Sequence, residues 1–411
     1  MGVFNFDVTN ANFVTKVRYE TAKVEELVLK SPTLAIMPKR PDYGGTSYVG
    51  TAMYAPMASV SVSDAVAFTT GTPSQFATFN CPWNSLFGSA NLTGYAIDAC
   101  KGDENALVDV IYQQVDAAYL AMGIGLGQAL WGSGGGSIAQ LVGGTIGGTG
   151  PFTLTIPSQI TNMYAGMILN SSATNGSTGS VKTGSVIIQS VDVNAGTFTT
   201  TANFTTGIPT AANTDYLFPQ GAFGAFLTFP IPNWIPSAAN RPIVSDNFNG
   251  VNRFTTDPAR LAGVFYAGGG ADKAESLLQT LILVNRLQGS PTHVMANNLD
   301  FSDILKGLTG RVEYSSVEAF KNPQIGFDAV KVVTPAGTVE IMQDPFVPQG
   351  SAWSLDIGDW VMPSMGEVPK IGDIDGQMWL RQNGIDAYSL RLVARFTDFC
   401  RAPAHNGVTT F

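Results

Sequence analysis

Residues 103–131 read DENALVDVIYQQVDAAYLAMGIGLGQALW and form the strongest helical pattern in the chain. Apolar residues recur there at spacings of three and four, as on one face of an α-helix, and Asp103 stands where it can cap the free amides. Such a helix spans roughly 40 Å at 1.5 Å per residue. The glycines Gly123, Gly125 and Gly127 weaken its second half and indicate either a bend or a close helix contact.

The segments before this helix are predicted to be extensions. Residues 1–30 mix charged and apolar residues and are predicted to form an arm. Residues 31–68 contain the pair Gly44 and Gly45 and an alternation of Tyr48, Ala52 and Tyr54, which predicts two extended strands joined at a glycine turn. Because residues 1–68 contain too few apolar residues for a core of their own, we predict that neighbouring copies of the chain order them.

After the helix the composition changes sharply. In residues 134–221, Lys182 is the only basic residue, and Asp192 and Asp215 are the only acids. Short runs rich in Val, Ile, Thr and Phe alternate there with Gly, Asn and Ser, which predicts strands joined by turns. We interpret the segment as an inserted small β domain. The alternative is a disordered linker rich in Gly, Ser and Thr.

The remainder of the chain mixes helices and strands. Residues 272–287 have the pattern of an amphipathic helix, residues 292–297 that of a buried strand, and residues 299–308 that of a short helix. A hairpin is predicted around Pro335–Gly337, and the alternation over residues 388–397 predicts a long half-buried strand. Because no steady βαβ repeat appears, the predicted fold class is α+β.

The composition favours a protein that assembles. Charged residues make up only 13% of the chain, and the formal net charge is −9. A largely neutral surface suits a protein that buries large areas against neighbours. Since no cationic run exceeds Lys39 and Arg40, tight phosphate binding is not expected, and any DNA would be contacted only non-specifically.

Sequence signals for chemistry are weak. The histidines His293 and His405 lack metal-ligand spacing; we expect His293 in a strand near the core and His405 in a mobile tail. No nucleotide-binding loop or nucleophile elbow is present. Carboxylate pairs such as Asp373 with Asp375 and Asp356 with Asp359 could touch calcium or do acid–base work, but carboxylates capping their own turns are the commoner case. We therefore predict no catalytic residues, no metal and no cofactor.

Cysteine usage and the N-terminal sequence give two further expectations. Cys81, Cys100 and Cys400 are too few and too scattered for a disulfide scaffold and are expected to be buried. No secretion signal or membrane anchor is recognisable. The expected place of assembly is the cytoplasm.

The order of these parts resembles the capsid proteins of tailed bacteriophages with the HK97-type fold, in the branch with an inserted β domain found in phages related to P22. SPTLAIMPKRPDYGG (31–45) resembles the start of that family's extended loop, and residues 102–138 resemble its spine helix and glycine-rich exit. Residues 184–209 and DYLFPQG (215–221) resemble closing strands of an insertion. Later stretches at 247–263, 339–362 and 386–407 are similar to the family's later landmarks.

The resemblance implies a domain organisation and a set of partners. The arm (1–30) and the extended loop (31–68) would precede a peripheral domain (69–133, with spine helix 103–131), the inserted β domain (134–221), and an axial domain with returning peripheral strands (222–411). Copies of the chain would form hexamers and pentamers of an icosahedral shell around double-stranded DNA. Scaffolding, portal and possible decoration proteins would be partners, with no membrane, and the product would be a virion capsid assembled in the host cytoplasm.

The resemblance also suggests which side chains make contacts between copies. The candidates are Glu25, Glu26, Lys39, Arg40, Tyr43, Tyr48, Met53, Tyr54 and Met57, with the two cations opposite the two acids. Three other hypotheses stay open: the shell of a cellular nanocompartment, a β-rich adhesin or fibre protein, and an enzyme.

Overall fold

The structure, a computed structural model, describes residues 31–57, 62, 73–94, 104–224, 230–237, 247–308, 329–334, 337–372 and 379–411. For residues 104–114, 329, 330, 333 and 379 it describes the backbone alone. Helices and strands interleave along these ranges, so the predicted α+β class is confirmed.

The helices with their bounds are α1 Pro32–Ile36, α2 Glu104–Trp131, α3 Phe204–Gly207, α4 Ile231–Trp234, α5 Arg253–Thr256, α6 Pro258–Leu261, α7 Lys273–Arg286 and α8 Asn298–Leu308. The strands are β1 Lys39–Arg40, β2 Ser47–Ala55, β3 Gln75–Pro82, β4 Asn84–Thr93, β5 Ala139–Gln140, β6 Phe152–Thr153, β7 Ile168–Ser172, β8 Val186–Asp192, β9 Thr197–Thr200, β10 Tyr216–Pro219, β11 Val264–Ala267, β12 His293–Ala296, β13 Ala329–Thr334, β14 Gly337–Gln343, β15 Ser351–Leu355, β16 Trp360–Pro363, β17 Lys370–Ile371, β18 Trp379–Arg381, β19 Ala387–Phe396, β20 Phe399–Cys400 and β21 Gly407–Thr410.

The long helix α2 packs on a sheet in which β19 pairs with β4 along their whole length. Two of its glycines lie at close contacts: a Cβ on Gly125 would stand 3.1 Å from Leu86, and one on Gly127 would stand 2.6 Å from the ring of Phe346. Close contacts thus exist at two of the three glycines, but with a strand and a loop and not with another helix, and a Cβ on Gly123 would meet nothing within 4 Å. Larger residues at Gly125 and Gly127 would push the helix off its neighbours.

A mixed six-stranded sheet of order β11-β21-β15-β12-β14-β13 forms a second layer. Helices α7 and α8 pack on it and bury a core that includes Leu277, Phe301, Ile304 and Ile341. The predicted helix over 272–287 and the hairpin around Pro335 are both present, because each carries a strong local pattern.

The charge-poor segment forms a sheet of its own, of order β5-β10-β7-β8-β9-β6, which we call the neutral sheet. It encloses a separate hydrophobic core that includes Ile138, Leu154, Leu169, Phe198 and Phe204. The segment is thus ordered and the linker alternative is wrong. The regular spacing of large apolar residues gives the segment enough apolar surface to bury.

The structure corrects the predicted hairpin within residues 31–68. Strand β1 pairs in parallel with β16, and β2 pairs in antiparallel register with β3, so that Met53 lies opposite Phe76. The two strands are therefore not joined at Gly44 and Gly45, and the second hairpin strand lies beyond residue 68. The partner of β1 is more than 300 residues away in sequence, where no local pattern reveals it.

The structure also corrects the expectation that neighbouring copies alone order this region. Met37, Ala52, Phe79 and Cys81 belong to the same buried core as the long helix. The hydroxyl of Thr33 donates to Oδ2 of Asp344 at 2.6 Å. Residues 31–55 therefore fold onto their own subunit, because distant segments supply the apolar surface that they lack. The arm, residues 1–30, lies outside the described residues.

The C-terminal segment is part of the fold and not a tail. Strand β21 lies between β11 and β15, and His405, in a 3₁₀ turn, is half-buried. The expectation of a mobile tail at His405 is wrong because the strand pairings that hold it are non-local. Cys81 and Cys400 are buried as expected, whereas Cys100 is outside the described residues. Within the described ranges, no helix combines the length and the apolar character needed to cross a membrane.

Candidate assembly surface

The ribbon formed by β2 and β3 has an inner face that packs on its own subunit. Phe79 of β3 lies 5.1 Å from the ring of Trp234 and 6.4 Å from that of Phe399, measured between centroids. Opposite it, Gly50 leaves room for Phe399, since a Cβ there would stand 2.4 Å from the Phe399 ring. The inner face is therefore held by aromatic packing that admits only glycine at position 50.

The outer face of the ribbon is exposed and carries large apolar side chains beside the polar residues Thr51, Thr78 and Asn80. Met53 is 60% exposed, and its cross-strand partner Phe76 is 59% exposed. Val49, further along β2, is 59% exposed, and Met57 beyond the strand is 56% exposed. We call Val49, Met53, Met57 and Phe76 the outer patch. Large apolar side chains grouped in this way on a ribbon mark a contact surface more often than isolated ones do.

The tyrosines among the predicted contact residues make contacts within the subunit. Tyr43 and Tyr48 meet edge to face at 5.1 Å, and Tyr48 also lies 5.4 Å from Phe399. Burial, followed by the neighbouring Tyr43, raises the pKa of Tyr48. The hydroxyl of Tyr54 donates to Gln75 at 3.0 Å within the exposed part of the hairpin. These three side chains therefore stabilise the root and body of the ribbon.

The charged candidates separate into two groups. Lys39 and Arg40 are exposed on β1, whose backbone pairs with Met362 and Pro363 of β16. Glu25 and Glu26 lie outside the described residues, so the proposed pairing of cations with acids stays a prediction. Contact of Lys39 and Arg40 with an acidic surface on another molecule likewise stays a prediction.

Sequence reasoning missed Val49 and Phe76. Phe76 lies in QFATFNCP, residues 75–82, where apolar Ala77, Phe79 and Cys81 alternate with polar Thr78 and Asn80. That alternation is the signal that could have predicted a strand. It does not say which face is covered, since that depends on Trp234 and Phe399.

The described residues contain one group that could hold a metal ion, formed by Asp356, Asp359 and His405. Their ligand atoms lie within 4.8 Å of one another, but Nδ1 of His405 and Oδ2 of Asp359 already meet at 2.7 Å. Asp356 accepts a hydrogen bond from the backbone N–H of Gly358, as expected for a turn cap. Burial and the charge of Asp359 raise the pKa of Asp356. These contacts account for the cluster without an ion.

Two clefts flank the long helix α2. One, of about 340 Å³, separates the end of the helix from the neutral sheet and the loop before β15; the other, of about 440 Å³, lies between β4, the helix and the neutral sheet. Their linings carry amide, hydroxyl and apolar side chains, and none of the lining residues is an acid, a base, a histidine or a cysteine.

The described fold, with a long helix on a long sheet, a separate helix-covered sheet and the β2–β3 ribbon, is similar to that of a phage capsid protein. The chain resembles in structure the capsid protein of cyanophage A-1(L), with a TM-score of 0.56 over 96% of this chain and 95% of that one. Sequence identity is 9%, so the likeness is one of fold. The capsid-protein fold predicted from the order of sequence elements is thus confirmed.

Two further structures align over nearly the whole chain at lower scores. One is the capsid of an empty GTA particle, at 8% sequence identity and a TM-score of 0.48 over 99% of this chain and 98% of that one. The other is the SrpI encapsulin complex of Synechococcus elongatus PCC 7942, at 9% sequence identity and a TM-score of 0.44 over 98% of this chain and 94% of that one. Scores below 0.5 carry no argument about a shared fold. No protein-family model and no curated protein sequence matches the chain.

Proposed function

We propose that this chain is a structural protein that assembles with copies of itself into the icosahedral capsid enclosing the double-stranded DNA of a tailed phage, and that it is not an enzyme. The observation that carries the proposal is the two-faced ribbon on a capsid-protein fold. Its inner face is fixed to the subunit by Phe79 and Gly50, while its outer patch is exposed. A second copy of the chain is the partner that covers the patch.

In this proposal the described elements take the roles of an HK97-type subunit. Helix α2 is the spine helix of the peripheral domain, the neutral sheet is an inserted β domain, and the sheet containing β21 is the core of the axial domain. The β2–β3 ribbon is the extended loop, and residues 1–30 form the arm. The ribbon replaces the hairpin predicted over residues 31–68.

Assembly follows from repetition of weak contacts. Burying the outer patch removes apolar surface from water at about 25 cal/mol per Å², which is a modest gain for one ribbon. In a closed shell of hexamers and pentamers every subunit both gives and receives such a contact, so the gains add up over the particle. Lys39 and Arg40 at the root of the ribbon add steering toward acidic surfaces.

The proposed setting is the virion, after assembly in the host cytoplasm. A net charge of −9 suits a container that encloses DNA without holding it tightly. Scaffolding, portal and possible decoration proteins are the further partners that we propose. Contact with packaged DNA is non-specific.

The test compares the wild-type chain with Met53→Asp and Phe76→Asp by size exclusion and negative-stain microscopy. We expect closed shells from the wild type and soluble, folded subunits from both variants, because each places a charge in the covered contact. Val193→Asp is the control: Val193 is 63% exposed in the turn between β8 and β9, outside the proposed contact, and shells should persist.

Each other outcome has a definite meaning. Fibres or lasting monomers from the wild type would contradict the capsid proposal. Shells from both Met53→Asp and Phe76→Asp would contradict the role of the outer patch. Shells that carry a protein cargo and never DNA when made with the other virion proteins would favour a nanocompartment instead.

A further inference from the structure

Asp398 lies where two sheets meet beneath the ribbon. Thr397 and Asp398 link β19, which pairs with β4, to β20, which pairs with β16. The next residue, Phe399, packs against Tyr48 and Phe79 of the ribbon and against Trp234. A charge at Asp398 therefore disturbs the position of its neighbour Phe399, whose ring packs against the inner face of the ribbon.

The carboxyl group of Asp398 is fully buried and has no hydrogen-bond partner on either oxygen. The hydroxyl of its neighbour Thr397 is also buried and unpartnered. Asp344 shows the usual alternative: it is just as buried, but it accepts hydrogen bonds from Ser31, Thr33 and the backbone of Phe346. An unpaired carboxylate in such a place is strongly disfavoured, so the neutral acid is the form that fits.

Burial raises the pKa of Asp398 to about 8, and no charged side chain of the described residues contributes to the shift. Cys81 of β3 is the titratable group that its charge reaches: burial first, and then Asp398, raise the pKa of that thiol to about 12. On β20, the pKa of Cys400 is raised by burial and by Asp359 and Asp356. The thiols of Cys81 and Cys400 therefore stay neutral over the range in which Asp398 titrates.

We propose that Asp398 is a proton-controlled anchor of the ribbon: while its carboxyl is protonated, the Thr397–Asp398 link and Phe399 keep the inner face packed, and loss of the proton releases the ribbon from the subunit. The device belongs to the single subunit. Release of the ribbon can be measured on subunits that have not formed shells. A negative result for Asp398 therefore leaves the capsid proposal standing, and a failure to form shells leaves the role of Asp398 standing.

The direction of the pH effect follows from proton counting. In the released state Asp398 meets water and ionises above about pH 4, whereas in the packed state it keeps its proton up to about pH 8. Between these values the packed state binds more protons, so raising the pH favours release by about tenfold per pH unit. Above about pH 8 both states are ionised and the effect levels off.

The experiment is hydrogen exchange of the full-length chain between pH 5 and pH 9, read by mass spectrometry and corrected for the intrinsic pH dependence of exchange. Peptides covering β2 and β3 in the wild type should lose protection by about tenfold per pH unit up to about pH 8. In Asp398→Asn, which cannot ionise, protection should not depend on pH. Peptides of the neutral sheet serve as the internal control and should behave alike in both proteins.

Two results would overturn the proposal: ribbon protection in the wild type that does not change with pH, or the same loss of protection in Asp398→Asn. If that variant does not fold, infrared spectroscopy of the wild type decides the matter. A neutral carboxyl absorption that persists at pH 7 and disappears above pH 9 supports the anchor, and its absence at pH 7 refutes it.

Discussion

The hydroxyl of Thr33 joins the beginning of the described chain to Asp344, 311 residues later, through a 2.6 Å hydrogen bond. The same hydroxyl accepts a hydrogen bond from Nε1 of Trp131 at 3.1 Å. One small side chain thus connects α1, the end of α2 and the turn after β14. This is the contact that holds the base of the extended region to its own subunit.

Replacing Thr33 by Val should lower the free energy of unfolding by about 1–3 kcal/mol, because it leaves the buried Nε1 of Trp131 without its partner and removes one of the hydrogen bonds to Asp344. Chemical denaturation followed by tryptophan fluorescence measures the loss. Thr78→Val, on the exposed side of β3, is the matched control and should change stability by less than about 0.5 kcal/mol. Equal effects of the two substitutions would argue against the role of Thr33.

Gly50→Ala should destabilise the ribbon by about 1–3 kcal/mol, since the new methyl group would meet the ring of Phe399. Hydrogen exchange in β2 and β3 should rise while that of the neutral sheet stays unchanged. The control is Gly44→Ala, where a Cβ would meet nothing within 4 Å. A neutral effect of Gly50→Ala would mean that Phe399 moves aside freely.

Asp398→Asn and Asp344→Asn should change stability in opposite directions at pH 8. The Asp398 pKa of about 8 means that this group stabilises the fold fully below about pH 4 and that the stabilisation is lost as the pH rises toward 8, at about 1.4 kcal/mol per pH unit. Asp398→Asn removes that loss, so it should melt higher than the wild type at pH 8. Asp344→Asn weakens satisfied hydrogen bonds and should melt lower.

Thermal melts of both variants and of the wild type from pH 4 to pH 9 test this pair. The wild-type curve should fall toward alkaline pH more steeply than that of Asp398→Asn. Parallel curves would show that Asp398 already carries its charge in the folded protein.

Lys182→Met should destabilise the neutral sheet by about 3 kcal/mol at most, because it leaves the buried carboxylate of Asp215 without its cation. In the structure, Nζ of Lys182 lies 2.7 Å from Oδ2 of Asp215. The side chain of Lys182 keeps 18% exposure, so water limits the loss. The double variant Lys182→Met, Asp215→Asn should recover part of it. A double-mutant cycle from denaturation curves measures the coupling, and a coupling near zero would contradict the prediction.

The sequence predicts those elements whose pattern is local. The helix now seen at Glu104–Trp131, the strand Ala387–Phe396 and the hairpin of β13 and β14 each repeat apolar residues at a fixed period over enough positions to be recognised. The strands of the neutral sheet are predicted from the same kind of local pattern. The fold class could be predicted for this reason.

The extended region and the contact residues could be predicted only in part. The pairing of β1 with β16 and the packing of Tyr48 on Phe399 join residues more than 300 positions apart. Met53 and Met57 are exposed as a contact surface requires, whereas Tyr43, Tyr48 and Tyr54 stabilise the subunit. Side chains that alternate along a strand predict that the ribbon has two faces. Which face is buried depends on contacts with the distant Trp234 and Phe399, which the local sequence does not reveal.

The position of β21 sets an order of folding. It lies between β11 and β15, so the sheet that contains it cannot close until residues 407–410 have left the ribosome. The neutral sheet draws only on residues 139–219 and can form while later segments are still being synthesised. The neutral sheet can therefore fold before the helix-covered sheet during translation, because the helix-covered sheet must wait for β21.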